Sequence, residues 1–229
     1  MEENRSIKLK KLMNYIENTS ELSFLARMHS LGMFDMAYES GFDSSMIPHY
    51  IYAVYDACGI IPMKENRYDT FVDLFEHTMD INQDILEVGG GTLPRVGIRI
   101  AQRQINGGTI TVYDKQMYSD LSPLSNLKLY RSEFTYMTDI KRYSTIMGLF
   151  PCQVMDLMIY RSLEEKKNFF IQMCKCSHPV NNFPEGYYDN PLERREALIK
   201  HYRQMAEQYG RDLELIDSIS PIIYSKKIK

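Results

Sequence analysis

The segment Asp84-Ile-Leu-Glu-Val-Gly-Gly-Gly-Thr-Leu-Pro-Arg95 runs from a short apolar stretch into three glycines and then into a helical pattern. Backbone without Cβ atoms at the carboxyl end of a buried strand lets a ligand come close, and a helix starting there turns its free N–H groups toward it. A nucleotide-type ligand suits such a place, with Gly89, Gly90 and Gly91 as its cradle and Glu87 two residues ahead. One unit later the run Thr109–Tyr113 ends in Asp114, followed by Lys115. A carboxylate at that point can accept hydrogen bonds from both hydroxyls of a ribose.

Two cofactor classes use this arrangement. The dinucleotide fingerprint needs a third glycine for close helix–strand packing, and this chain has Pro94 there. In contrast, Glu87, Gly89 and Gly91 resemble the first motif, acidic-x-G-x-G-x-G, of the methyltransferases that use S-adenosyl-L-methionine (SAM); Leu93 stands where the motif has its last glycine. The resemblance continues in order to about residue 224. It implies that Asp114 holds the ribose, that Glu133 meets the adenine amino group while Phe134 covers the ring, and that Gly148-Leu149-Phe150-Pro151-Cys152 flanks the transferred methyl group. The expected fold is then the α/β, Rossmann-like class I methyltransferase fold, a mostly parallel sheet with C-terminal antiparallel strands. The expected cofactor is SAM and its product S-adenosyl-L-homocysteine (SAH). The acceptor is open: a small molecule is favoured slightly over RNA or protein, and a methyltransferase-like module without turnover is the alternative. No catalytic residue is assigned, because in-line methyl transfer asks mainly for positioning and a base is often optional.

Plainer roles compete for the same residues. The glycines could serve only a tight turn, Glu87 could be a surface acid, and Asp114 could be the N-cap of a following helix. Cys152, Cys174, Cys176 and His178 could gather thiolates and an imidazole, but C-x-C-x-H is not a standard zinc spacing, and no metal is expected. Gly148, Leu149, Cys152 and His178 also resemble a group that includes tRNA 2′-O-methyltransferases, with Phe150 in place of that group's His and Lys175 separating the cysteines; this assigns no RNA substrate.

The elements that must position these residues change character near residue 80. From 84 onward, short apolar runs alternate with helical patterns, as in βαβ units: strands are expected at Ile85–Val88, Thr109–Tyr113, Lys128–Tyr130, Thr145–Gly148 and Asn168–Met173. A long helix follows, with Asn190 as N-cap, Pro191 in its first position and Gly210 as its stop, and the tail suggests two closing strands. Residues 1–80 read as helices only, including one after Ser20 closed by Gly32 and one from about Ser45 to Gly59, making an extension that caps the cofactor or recognises substrate; 81–229 form the cofactor domain. The tyrosines and methionines of this extension fall at helical spacing, where core packing is the commoner use.

With 229 residues, 27 Lys+Arg against 30 Asp+Glu and 44% hydrophobic residues, the chain can bury a full core and has no global field favouring a polyanion. No apolar run is long enough to span a membrane, and the first residues lack a signal-peptide core, so a cytoplasmic protein with thiol cysteines is expected. Self-association into a homodimer stays open.

Overall fold

The structure, a computed structural model, describes residues 4–20, 22–42, 47–61, 67–117, 122–173, 191–217 and 220–226. Strands β1 (Ile85–Val88), β2 (Ile110–Tyr113), β3 (Leu127–Tyr130), β4 (Thr145–Leu149), β5 (Asn168–Gln172), β6 (Glu214–Ile216) and β7 (Ile222–Ser225) form one sheet in the order β3-β2-β1-β4-β5-β7-β6. The first five are parallel; β7 is antiparallel to both β5 and β6, so it alone is reversed. The order turns back between β1 and β4, and in open α/β sheets the crevice beyond the strand ends at such a switch is where ligands bind.

Side chains alternate faithfully across this sheet, because successive residues of a strand point to opposite faces. Ile85, Met147, Phe170 and Ile222 join one apolar cluster, while Leu86, Ile146, Phe169, Ile171 and Ile223 join the other. On the first face lie the helices α1 (Arg5–Asn18), α2 (Phe24–Gly32), α3 (Phe34–Glu39), α4 (His49–Ala57), α5 (Arg67–Thr78) and α6 (Arg95–Arg103). The second face is covered by α7 (Met155–Glu164) and α8 (Pro191–Gln208). The apolar cluster on the first face runs without a break from Leu12 through Phe71 and Phe75 to Val96 and Phe170, so the N-terminal helices share the core of the sheet. Phe71 and Phe75 of α5 meet Phe170 of β5 edge to face, with centroids 5.2 and 5.3 Å apart.

The helix boundaries differ from expectation at one informative point. Helix α2 is capped by Ser23, whose side chain accepts from the Ala26 N–H, and not by Ser20. Leu22 bridges to Leu124 and the Ser23 N–H donates to the Pro123 carbonyl, which holds these residues extended and delays the helix. Gly32 is the last residue of the helix, and Met33 caps it. Asn190 lies outside the described residues. Glycine 210, with φ +66°, ends α8 as the sequence suggests.

Candidate functional site

The alternation of β1 decides where Glu87 goes. It shares the Ile85 face, beneath α6, where an apolar side chain would ordinarily sit, and it is 1% exposed. Room for it comes from Gly97 of α6: a Cβ there would lie 2.7 Å from Glu87 Oε2. Oε2 has no hydrogen-bond partner among the described residues. Burial pushes the carboxyl up from 4.5 to about 8; the Gly97 backbone N–H offsets part of this and the Asp114 charge adds to it. The surface-acid reading of Glu87 is therefore set aside.

After Val88 the chain turns through Gly89 (φ +80°) and Gly91 (φ +74°), a left-handed backbone that side chains with a Cβ rarely adopt. Gly89 also packs against the Pro151 Cα, which a Cβ would meet at 3.3 Å, so the glycine loop and the end of β4 are in contact. Asp114, beyond β2, accepts the Gly91 N–H on Oδ2 at 2.7 Å and the Gln116 N–H on Oδ1 at 2.7 Å. The residues next after it form a turn, so Asp114 caps no helix there. Each carboxylate oxygen has two lone pairs, which leaves one on each for a further donor such as a ribose hydroxyl.

These elements enclose two adjoining cavities. The larger, about 500 Å³, is lined by Val88, Gly89 and Gly91 from β1 and its loop, Tyr113 to Gln116 after β2, Ser132, Glu133 and Phe134 after β3, and Phe150, Pro151, Gln153 and Val154 after β4. Every one of these segments lies at a carboxyl strand end. Phe134 is buried and gives the cavity an apolar wall, whereas the exposed Glu133 and Lys115 side chains pair loosely at 3.4 Å on its rim. The smaller, about 170 Å³, is lined by Arg67 and Tyr68 of α5, Glu87, the three glycines, Arg95 and Val96 of α6, Leu149 and Phe150. The guanidinium groups of Arg67 and Arg95 lie 4.9 and 5.4 Å from the centre of the Tyr68 ring, close enough for cation–π attraction. Arg95 also stands 3.8 Å from the buried Asp56 of α4.

The expected site residues thus divide three ways. Gly89, Gly91, Asp114, Lys115, Glu133 and Phe134 meet at the larger cavity, and Glu87, Gly90 and Leu149 at the smaller. Gly148 lines neither; a Cβ there would lie 2.9 Å from Met158 and 3.0 Å from Pro151, which marks a packing position. Not anticipated individually were Arg67, Tyr68, Arg95, Tyr113 and Gln116, whereas Phe150 belongs to the Gly148–Cys152 segment expected beside the methyl group. Arg67 and Tyr68 had no signal, since α5 reaches the loop only through tertiary packing. Among the described residues no cluster of three His, Cys, Asp or Glu side chains could hold a metal. Cys174, Cys176, His178 and the Cys152 side chain lie outside them. No described helix is long and apolar enough to cross a membrane.

No protein-family model matches the chain, and no curated protein does. Among solved structures it is similar to a SAM-dependent methyltransferase from Aquifex aeolicus, at 15% identity and a TM-score of 0.47, over 72% of this chain and 94% of that one. It is also similar to Aeropyrum pernix fibrillarin in complex with natively bound S-adenosyl-L-methionine, at 10% identity and 0.48, over 70% and 76%. A methyltransferase from Podospora anserina with bound SAH is similar at 10% identity and 0.48, over 100% and 98%. Likenesses this distant leave the function to the chain's own residues. By its strand order, its one reversed strand β7 and the crevice beyond β1, the chain has a Rossmann-like α/β fold, a mostly parallel sheet closed by an antiparallel strand.

Proposed function

We propose that this chain binds SAM across the two cavities and transfers its methyl group to an acceptor. The observation that carries the proposal is the chemical contrast between two cavities that share Gly89, Gly91 and Phe150. The larger offers a carboxylate with a free lone pair on each oxygen, an apolar wall at Phe134 and a polar rim at Glu133, which suits a ribose and its base. The smaller offers two guanidinium groups, apt for a carboxylate, and the buried Glu87, apt for an ammonium. A nucleoside joined to an α-amino acid has both ends, whereas a dinucleotide would bring its phosphates beside the first ribose, where the acid Glu87 gives an anion no partner. When bound, SAM supplies an electrophilic methyl group: the acceptor's lone pair forms the new bond to carbon while the sulfur keeps the electrons of the broken one, leaving SAH. The protein's part is to hold the donor and exclude water, as expected of a displacement that depends on positioning.

Comparing SAH with 5′-methylthioadenosine, two neutral thioethers of which the second lacks the amino-acid tail, tests this directly. SAH is expected to bind more tightly, and Arg67→Ala to weaken SAH by about 1–3 kcal/mol with little change for methylthioadenosine. Equal affinity for the two ligands, or an equal loss for both in the variant, would remove the tail from the smaller cavity.

A further inference from the structure

The residues common to both cavities mark their junction, and they are Gly89, Gly91 and Phe150. Only Phe150 among them has a side chain. If the nucleoside occupies one chamber and the amino-acid tail the other, the atom that joins them, the sulfonium sulfur, lies at this junction. We propose that Phe150 is a specificity-determining residue whose ring faces the sulfonium and favours the cationic donor over the neutral thioether product. This rests on the assignment of SAM to the two cavities.

The backbone supports a positioned role for this ring. Phe150 has φ +57°, in the left-handed region that residues with a Cβ rarely occupy, and it precedes Pro151, which narrows its conformational choice further. Strain of this kind persists where surrounding contacts over-determine it, and it concentrates at ligand sites. Those contacts are present: the Phe150 N–H donates to the Gln172 carbonyl of β5 at 3.0 Å, and Pro151 is pressed against Gly89. The end of β4 is thereby locked both to the neighbouring strand and to the glycine loop. A glycine would take the same φ without strain; Phe150 is only partly buried, packed on one side against the apolar cluster of the first face and bordering both cavities on the other. An aromatic face attracts a ligand cation and gives a neutral sulfur no such charge attraction. Product release benefits as well, since SAH loses that attraction once the methyl group has gone.

The test is the ratio of SAH to SAM dissociation constants, measured by calorimetry for the native chain and for Phe150→Leu, Phe150→Gly and Phe150→Tyr. The Leu and Gly variants are expected to lower the ratio by about threefold to tenfold, the range of a cation–π contact, while Tyr retains it. Because glycine relieves the strained φ, the Gly variant is expected to stay folded and to give a reading even if the Leu variant does not. A ratio unchanged by loss of the ring, with both ligands still bound, would overturn the proposal and leave the SAM assignment standing. Failure of the native chain to bind either ligand would overturn both.

Discussion

Glu87 occupies a position that the alternation of β1 reserves for apolar side chains, and this has a measurable cost. Its carboxyl is pushed up from 4.5 to about 8 chiefly by burial. Below 4.5 the folded and unfolded chains both hold the proton and the group costs nothing. As pH rises toward 8 the unfolded chain ionises while the folded one does not, so stability is lost across that window and the loss is complete above it. Glu87→Gln removes the titrating group at nearly constant volume. Denaturant titrations at a series of pH values are expected to show the variant gaining on the native chain steadily from about pH 5 to about pH 8. A difference that stays constant with pH would mean that Glu87 is ionised throughout. Retaining so costly an acid behind a glycine loop is understandable if a bound cation repays it. The acidic position itself was legible in the sequence. Its burial was not, because that depends on Gly97 lying opposite.

Helices α5 and α6 meet along charged faces spaced four residues apart. Asp69 of α5 accepts from Arg99 Nε at 2.9 Å, and Arg103 reaches Asp73 at 2.6 Å and Glu76 at 3.1 Å. The outer pairs are solvent-exposed enough to contribute little. Asp56 of α4 differs: its side chain is 1% exposed and stands 3.5 Å from Arg99, itself 8% exposed. Together with Arg95 this links the N-terminal helices to the first turn of α6, directly beside the glycine loop. Asp56→Ala is expected to cost about 3 kcal/mol, the low end for breaking a buried pair because Arg99 keeps Asp69. Hydrogen exchange at the start of α6 should quicken in the same variant. A loss under about 1 kcal/mol with unchanged exchange would reduce Asp56 to an isolated weak contact. At this scale the sequence was readable where local signals rule: Ile85–Val88 matches the expected strand end to end, and Pro191 and Gly210 bracket α8. It misled at Ser20, since the choice between two serines is made by the distant Pro123 and Leu124.

The whole molecule is a sheet whose order reverses between β1 and β4, with the glycine loop at the reversal and one continuous core joining the N-terminal helices to it. Class and strand succession were legible because apolar runs, glycines and helical periodicity are local properties of the chain. Glu87, the glycines and Asp114 were legible because each sits at a strand end, where sequence order alone fixes the neighbourhood. Arg67 and Tyr68 were not, since a helix preceding β1 can reach the loop only by packing across residues that the sequence does not show to be neighbours. Gly148 lines neither cavity: β4 reaches them only from Leu149 onward, while Gly148 lies inside the sheet under Met158. All of this converges on one ligand. The most direct measurement is a calorimetric titration of SAM into the native chain, with Asp114→Ala alongside. Saturable binding of one SAM per chain is expected, weakened by about 1–3 kcal/mol in the variant through lost hydrogen bonds to a charged group. A folded native chain that takes up no SAM at millimolar concentration would contradict the assignment.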